Sequence, residues 1–136
     1  MESNKFVLNT NIWITYFLNN NFRDIATIIE IKGIELCRSF PSLSELTNVL
    51  NKNKFKNKFK APLLDYINFY LATTTHYDTL PIFTACEDAN DNFLFDLAIQ
   101  SKTNYIVSGD KKVLTTPVVL PMQVITLSEF KSITNN

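Results

Sequence analysis

Five polar side chains stand out by type and place: Asn9, Glu45, Asp88, Asp91 and Asp110. Asn9 follows the apolar run FVL and Asp110 follows YIVSG, so each ends a segment that reads as a buried strand. Glu45 comes early in PSLSEL. Asp91 opens the helical pattern of CEDANDNFLFDLA, with Asp88 three residues before it. In an open α/β sheet, strands end and the following helices begin on one edge, and ligands bind there. Parallel neighbours lie about 5 Å apart, so two strand tips and two helix starts can share a crevice. Clustered carboxylates raise one another's pKa, and a divalent cation reverses that cost. Mg2+ prefers octahedral oxygen ligands and keeps several waters. Such an ion makes water more acidic and stabilises charge on a phosphoryl oxygen. The chemistry this set suits is phosphodiester cleavage, which needs no histidine, cysteine or glycine loop.

Each member also has a structural alternative. Ser42-Leu43-Ser44-Glu45 reads as a capping box, which would leave Glu45 reaching back to a backbone N–H. Asp88 or Asn90 is a natural N-cap, and Asp91 can serve the helix start alone. Asp110 after Gly109 suits an ordinary turn. Asp96, between Phe95 and Leu97, is expected to face solvent or a salt bridge. The case for a site rests on the set.

Composition narrows the chemistry further. The 136 residues suit one domain with a core of its own, spanning 1–136. Hydrophobic residues make up 46% and charged residues 19%, which excludes wholesale disorder. Thirteen basic and thirteen acidic residues cancel, so a nucleic-acid partner would need a local patch. Gly33 and Gly109 are the only glycines, which excludes a Walker loop or GxGxxG. His76 is the only histidine, which excludes a His-rich zinc site, and it reads as structural or surface. Any metal would have mostly oxygen ligands, favouring Mg2+ or Mn2+. Cys37 and Cys86 lack CxxC spacing and read as buried thiols in a reducing compartment. No apolar run approaches the roughly 18 residues that cross a bilayer. The start, MESNK, lacks a signal peptide's basic and apolar segments. The expected location is the cytoplasm, with no membrane partner.

The elements that must position the five residues alternate between strand and helix. Strands are expected at Lys5 to Leu8, Ile34 to Ser39, Asn104 to Ser108 and Gln123 to Thr126. Helices are expected at Thr10 to Asn19, at Phe22 to Lys32 with Gly33 as stop, from Pro41 through Leu50, and over 61–72 and 91–102. Thr79 to Phe83 reads as extended or irregular, and Lys111 to Leu114 as one helical turn. A terminal helix, LSEFKSI, is expected with Ser128 as N-cap. This alternation predicts an α/β fold with a mostly parallel sheet.

In order along the chain, FVLNTNIW, SLSELTNVL and CEDANDNFLFDLAIQSKTNYIVSGDKKVL resemble the PIN-domain ribonuclease family, in its subgroup of VapC-like toxins of toxin–antitoxin pairs. The resemblance implies a three-layer α/β/α fold and an endoribonuclease dependent on Mg2+ or Mn2+. It implies catalytic and metal-binding roles for Glu45, Asp91 and Asp110, with Asp88 as a further acid of the metal site. It further implies an RNA substrate, a cognate antitoxin protein and a homodimer. Asn9 stands where the family has its first aspartate, and Thr10 would support that position by hydrogen bonding. An amide oxygen still ligates a cation but carries no charge. The exchange keeps the shape and weakens metal binding, so the chain reads as an inactivated or weakened enzyme, by design or by descent. The alternative is a non-catalytic PIN-like module that binds RNA or an antitoxin. A phosphoacceptor receiver domain also gathers acids at strand tips. It expects an acidic pair after the first strand and an acceptor Asp near residue 50, and this chain has neither.

NKNKFKNKFK, residues 51–60, alternates Lys52, Lys54, Lys56, Lys58 and Lys60 with Phe55 and Phe59 between them. On a helix the two rings would stack and dock on the body. The stretch reads either as a solvated surface or as a phosphate-tracking patch, with Lys54, Lys56 and Lys58 as RNA contacts. Thr10 is the remaining candidate for contact with RNA.

Overall fold

Lys5–Leu8, the first apolar run, forms strand β1 at the centre of a parallel sheet. The computed structural model of the chain describes residues 4–118 and 121–135, so the start of MESNK lies outside the described residues. Beside β1 lie β2 (Glu35–Arg38) on one side and β4 (Tyr105–Val107) on the other. The edges are β3 (Thr74–His76) and β5 (Gln123–Ile125), giving the order β3-β2-β1-β4-β5 with every pairing parallel. Parallel central strands are buried on both faces. Accordingly Phe6, Val7 and Leu8 are all buried.

Alternation along the strands divides the core in two. Phe6, Leu8, Leu36 and Val107 face one apolar cluster, while Val7, Cys37 and Ile106 face the other. The first cluster is covered by α1 (Thr10–Leu18), α2 (Phe22–Lys32), α3 (Phe40–Leu50), α4 (Leu63–Thr73) and α7 (Leu127–Thr134). The second is covered by α5 (Asn92–Gln100) and the single turn α6 (Lys111–Leu114). The fold is therefore the expected three-layer α/β/α arrangement. Gly33 ends α2 in the left-handed conformation, φ 63°, where a side chain would be strained. Among the described residues no helix is long and apolar enough to cross a membrane.

Several local expectations are corrected. β3 was not anticipated: an edge strand of Thr74, Thr75 and His76 buries little, so it carries no apolar signature. The capping box of α3 is formed by Ser39 and Ser42, not by Ser42 and Glu45. Ser39 follows β2 directly, and Pro41 fits the first turn because its missing N–H is not needed there. Glu45 is thereby freed from capping. The cap of α7 is Thr126 with Glu129, not Ser128. The lysine stretch is not a helix. It has a 3-10 turn at Asn53–Phe55 and a left-handed Asn57, φ 69°. Asparagines compete with the helical backbone through their own side chains. Phe55 and Phe59 still meet, with ring centres 5.7 Å apart, and Phe59 packs on Tyr66. Asp96, expected at the surface or in a salt bridge, is buried and bonded to backbone N–H groups.

Candidate active site

The register of the sheet sets the strand tips level. Leu8 pairs with Val107, and the Asn9 N–H continues the ladder to the Val107 carbonyl at 2.9 Å. Asn9 and Ser108 therefore stand side by side. Asn9 is buried and caps α1, its Oδ1 accepting from the Thr10 N–H at 2.7 Å. Its Nδ2 donates to Ser108 Oγ at 2.9 Å, and the same Oγ accepts from the Asp110 N–H at 3.0 Å. One hydroxyl thus ties the tips of β1 and β4 together. Ser108 is fully buried and was not singled out from the sequence. Its signal was a lone polar residue inside YIVSGD, level with Asn9.

Glu45 lies in the second turn of α3, half-buried. Burial raises its pKa and Asp88 adds to the rise. A hydrogen bond with the Thr10 side chain and the charge of Lys52 oppose it. Thr10 therefore serves two neighbours: its backbone supports Asn9 and its side chain supports Glu45. Lys52 was passed over in favour of Lys54, Lys56 and Lys58, yet it is the lysine whose charge acts on the site.

Asp91 is at the centre of the cluster. It begins α5, is 9% exposed, and makes no capping bond through its side chain. Burial pushes its pKa up to about 6, with further increments from Asp88, Glu45 and Asp110 and from a hydrogen bond with Asp110. Four acids from three separate stretches of the chain thus converge. The N-terminus of α5 at Asp91 and that of α1 at Asn9 offset part of the repulsion. Asp88 accepts from the Asn90 N–H at 3.1 Å, and Asp110 accepts from the Lys112 N–H at 2.9 Å. Each keeps its second carboxylate oxygen for another partner. Asp88 is a cap, as its structural alternative has it; Asp110, expected in an ordinary turn, caps α6; both also bear on Asp91.

The donor chemistry fits a hard dication: every group is an oxygen donor, and burial together with the neighbouring acids pushes the Asp91 carboxyl up to about 6. The arrangement is not closed, however. Among the described residues no group of three or more His, Cys, Asp or Glu side chains is arranged to hold a metal ion. Asn9 brings an amide, not a carboxylate, to this edge.

The other candidates lie further out. Lys52, Lys54, Lys56, Lys58 and Lys60 are exposed. Lys54 Nζ lies 5.0 Å from the centre of the Phe55 ring. Phe55 and Phe59 are half-buried against the core, so the rings anchor the stretch. His76 pairs with Asp78 at 2.9 Å, and both cysteines are buried and free. A mostly apolar cavity of about 510 Å3, lined by Phe83, Ile99, Val118 and Met122 among others, lies beyond the N-terminal ends of β4 and β5, on the opposite edge of the sheet. No predicted site residue lines it. The strand order also differs from receiver-type sheets, in which the second strand stands at the edge.

A sequence profile described as PIN domain matches residues 5–112. The crystal structure of PAE2754 from Pyrobaculum aerophilum superposes with a TM-score of 0.62, covering 98% of this chain and 90% of that one at 13% identity. At that identity the likeness concerns the fold. No curated protein matches the sequence.

Proposed function

Since the chain belongs to the PIN-domain family, whose members are generally nucleases, we propose that it is a metal-dependent endoribonuclease in a form weakened by Asn9. The observation that carries this reading is the convergence of Glu45, Asp88 and Asp110 on the buried carboxyl of Asp91. Glu45, Asp91 and Asp110 would hold Mg2+ or Mn2+, with Asp88 and the Asn9 amide oxygen beside them. When bound, the ion supplies a Lewis acid for a phosphoryl oxygen and a more acidic water. The chain's own residues do the rest. Thr10 orients Glu45, and Ser108 fixes the first strand tip against Asp110. Asp91, its carboxyl pushed up to about 6 by burial and the neighbouring acids, is the group placed to exchange a proton.

Asn9 weakens this centre without deforming it. An aspartate would accept a bond from the Ser108 hydroxyl, which would still accept from Asp110 N–H. The same tip geometry therefore serves either residue, and the difference is one negative charge. On the same reading the chain is the toxin of a pair, held by an antitoxin protein and acting as a homodimer.

The test is cleavage of single-stranded RNA by the Asn9→Asp protein with Mg2+ or Mn2+, with EDTA as control. The reverted enzyme should cut at least about 100-fold faster than the present chain, a scale set by the electrostatic cost of losing one charged group at such a centre. No metal-dependent gain on reversion would sink the proposal. It would leave a non-catalytic module, which should bind its partner equally well after Asp91→Asn and Asp110→Asn.

A further inference from the structure

Phe40 is the one phenylalanine, among the described residues, that stands exposed, at 68% of its surface. A single exposed apolar side chain is ordinary on a protein surface; what distinguishes Phe40 is its place. It opens α3 directly after Ser39, and the register places Ser39 level with Asn9 on the neighbouring strand. The ring therefore stands on the same sheet edge as the acidic cluster. Glu45 follows five residues later on the same helix, about 7.5 Å along its axis.

The ring is not loose. Its centre lies 4.5 Å from that of His76, edge to face at 62°. His76 ends β3 opposite Arg38 and is held by Asp78 through a 2.9 Å bond. Arg38 Nη1 is anchored to the carbonyls of Leu71 and Thr74 and makes no ion pair among the described residues. An aromatic ring is thus largely exposed to solvent and braced by an imidazole, while the Arg38 guanidinium is turned back onto the carbonyls of Leu71 and Thr74. Ring faces stack on any nucleobase. The neighbour His76, and Asp78 bonded to it, are polar, which suits a base better than an apolar protein surface.

We propose that Phe40, braced by His76, is a stacking subsite for an unpaired RNA base flanking the scissile phosphate. It rests on the nuclease reading for its place along the substrate, but its binding is measured separately. The probe is a short single-stranded oligoribonucleotide carrying 2-aminopurine at successive positions, titrated with the present chain without metal. One position should change its fluorescence on binding. Phe40→Ala should abolish that change and weaken binding roughly 5- to 100-fold, the range of one base stack. It should leave the melting temperature unchanged. Phe40→Tyr should restore both signals, and affinity for duplex RNA should not depend on residue 40. Equal affinity and fluorescence in Phe40→Ala would overturn the proposal. So would equal losses for single-stranded and duplex RNA, or a change confined to sedimentation, which would assign the ring to a protein interface. If Asn9→Asp cleaves RNA and Phe40→Ala changes nothing, the subsite alone falls. If Asn9→Asp fails to cleave while the stacking signal stands, the nuclease reading falls and the RNA site remains.

Discussion

Asp91 and Asp96 belong to one helical segment and are almost equally buried, at 9% and 6% exposure, yet their charges are met in opposite ways. Asp96 Oδ1 accepts from the backbone N–H groups of Ile82 and Phe83 at 3.0 and 2.7 Å. Those bonds satisfy a buried carboxylate and pin an irregular stretch of chain to α5. Asp91 has no such donors. Its surroundings are burial and three more acids, and its carboxyl is pushed up to about 6. Burial of a charge therefore does not mark a functional site by itself. What marks it is a buried charge answered by like charges, because folding gains nothing from that arrangement and a cation would.

The strongest way to break this contrast is to neutralise each residue and read both activity and stability. In the Asn9→Asp enzyme, Asp91→Asn should reduce metal-dependent cleavage by at least about 100-fold, as expected for a group acting at the reacting centre. It should not lower the melting temperature. Asp96→Ala should do the reverse. Leaving two part-buried N–H groups without their acceptor costs about 1–3 kcal/mol, read by urea unfolding, while the cleavage rate of the folded fraction stays within a few-fold. Should Asp91→Asn unfold the chain, or Asp96→Ala silence it while stable, the two roles have been misassigned.

The same contrast explains what could be read in advance. The centre of the sheet was legible because FVL and YIV are buried on both faces and so are continuously apolar. The acids at their tips, and at the helix starts that follow, were legible because the sheet geometry sends both to one edge. Asp96 was misread because its partners come from 82 and 83, where no periodic pattern predicts an inward backbone. Ser108 was missed because its role exists only across the strand pair. The capping assignments slipped because several Ser and Thr residues compete near each helix start, and only the turn after the strand selects one. The i, i+4 spacing of Phe55 and Phe59 would bring the rings together on a helix, and they meet even though the backbone between them is turns.

pH sharpens the comparison next. Asp91 binds its proton more tightly in the folded chain than in the unfolded one, where its pKa is near the ordinary 3.8. Its contribution to stability is therefore fully present below about pH 4 and is lost as pH rises through about 6. Asp91→Asn should match the parent chain at pH 4 and melt higher at pH 7.5 without metal, by on the order of 5 °C. Added Mn2+ should raise the melting temperature of the parent chain at pH 7.5 more than at pH 5, because the ion competes with that proton. Asp91→Asn should lose this response. A parent chain that gains stability over the same pH window would contradict the acidic pole as drawn.

The smallest effect concerns the positive charge that the acidic pole lacks. Lys52 acts on Glu45, but Lys54, Lys56 and Lys58 are exposed and oppose no carboxylate among the described residues. Their stretch is held down by Phe55 and Phe59, which pack on the first core cluster, so the ammonium groups project from an anchored loop. A phosphate chain approaching four clustered acids needs such a counterweight, since the molecule as a whole carries no net charge. Single-stranded RNA loses affinity with salt at about 0.7 logarithmic units per phosphate contact. Replacing the three lysines by glutamine, with Lys52 kept so that Glu45 is undisturbed, should lower the slope of log affinity against log salt by up to about 2. The loss should be nearly independent of sequence, unlike the position-dependent loss expected at Phe40. An unchanged slope would mean that these charges serve only solubility. The cation drawing RNA to Asp91 would then have to be sought in Lys52, Arg38, Lys111 or Lys112 instead.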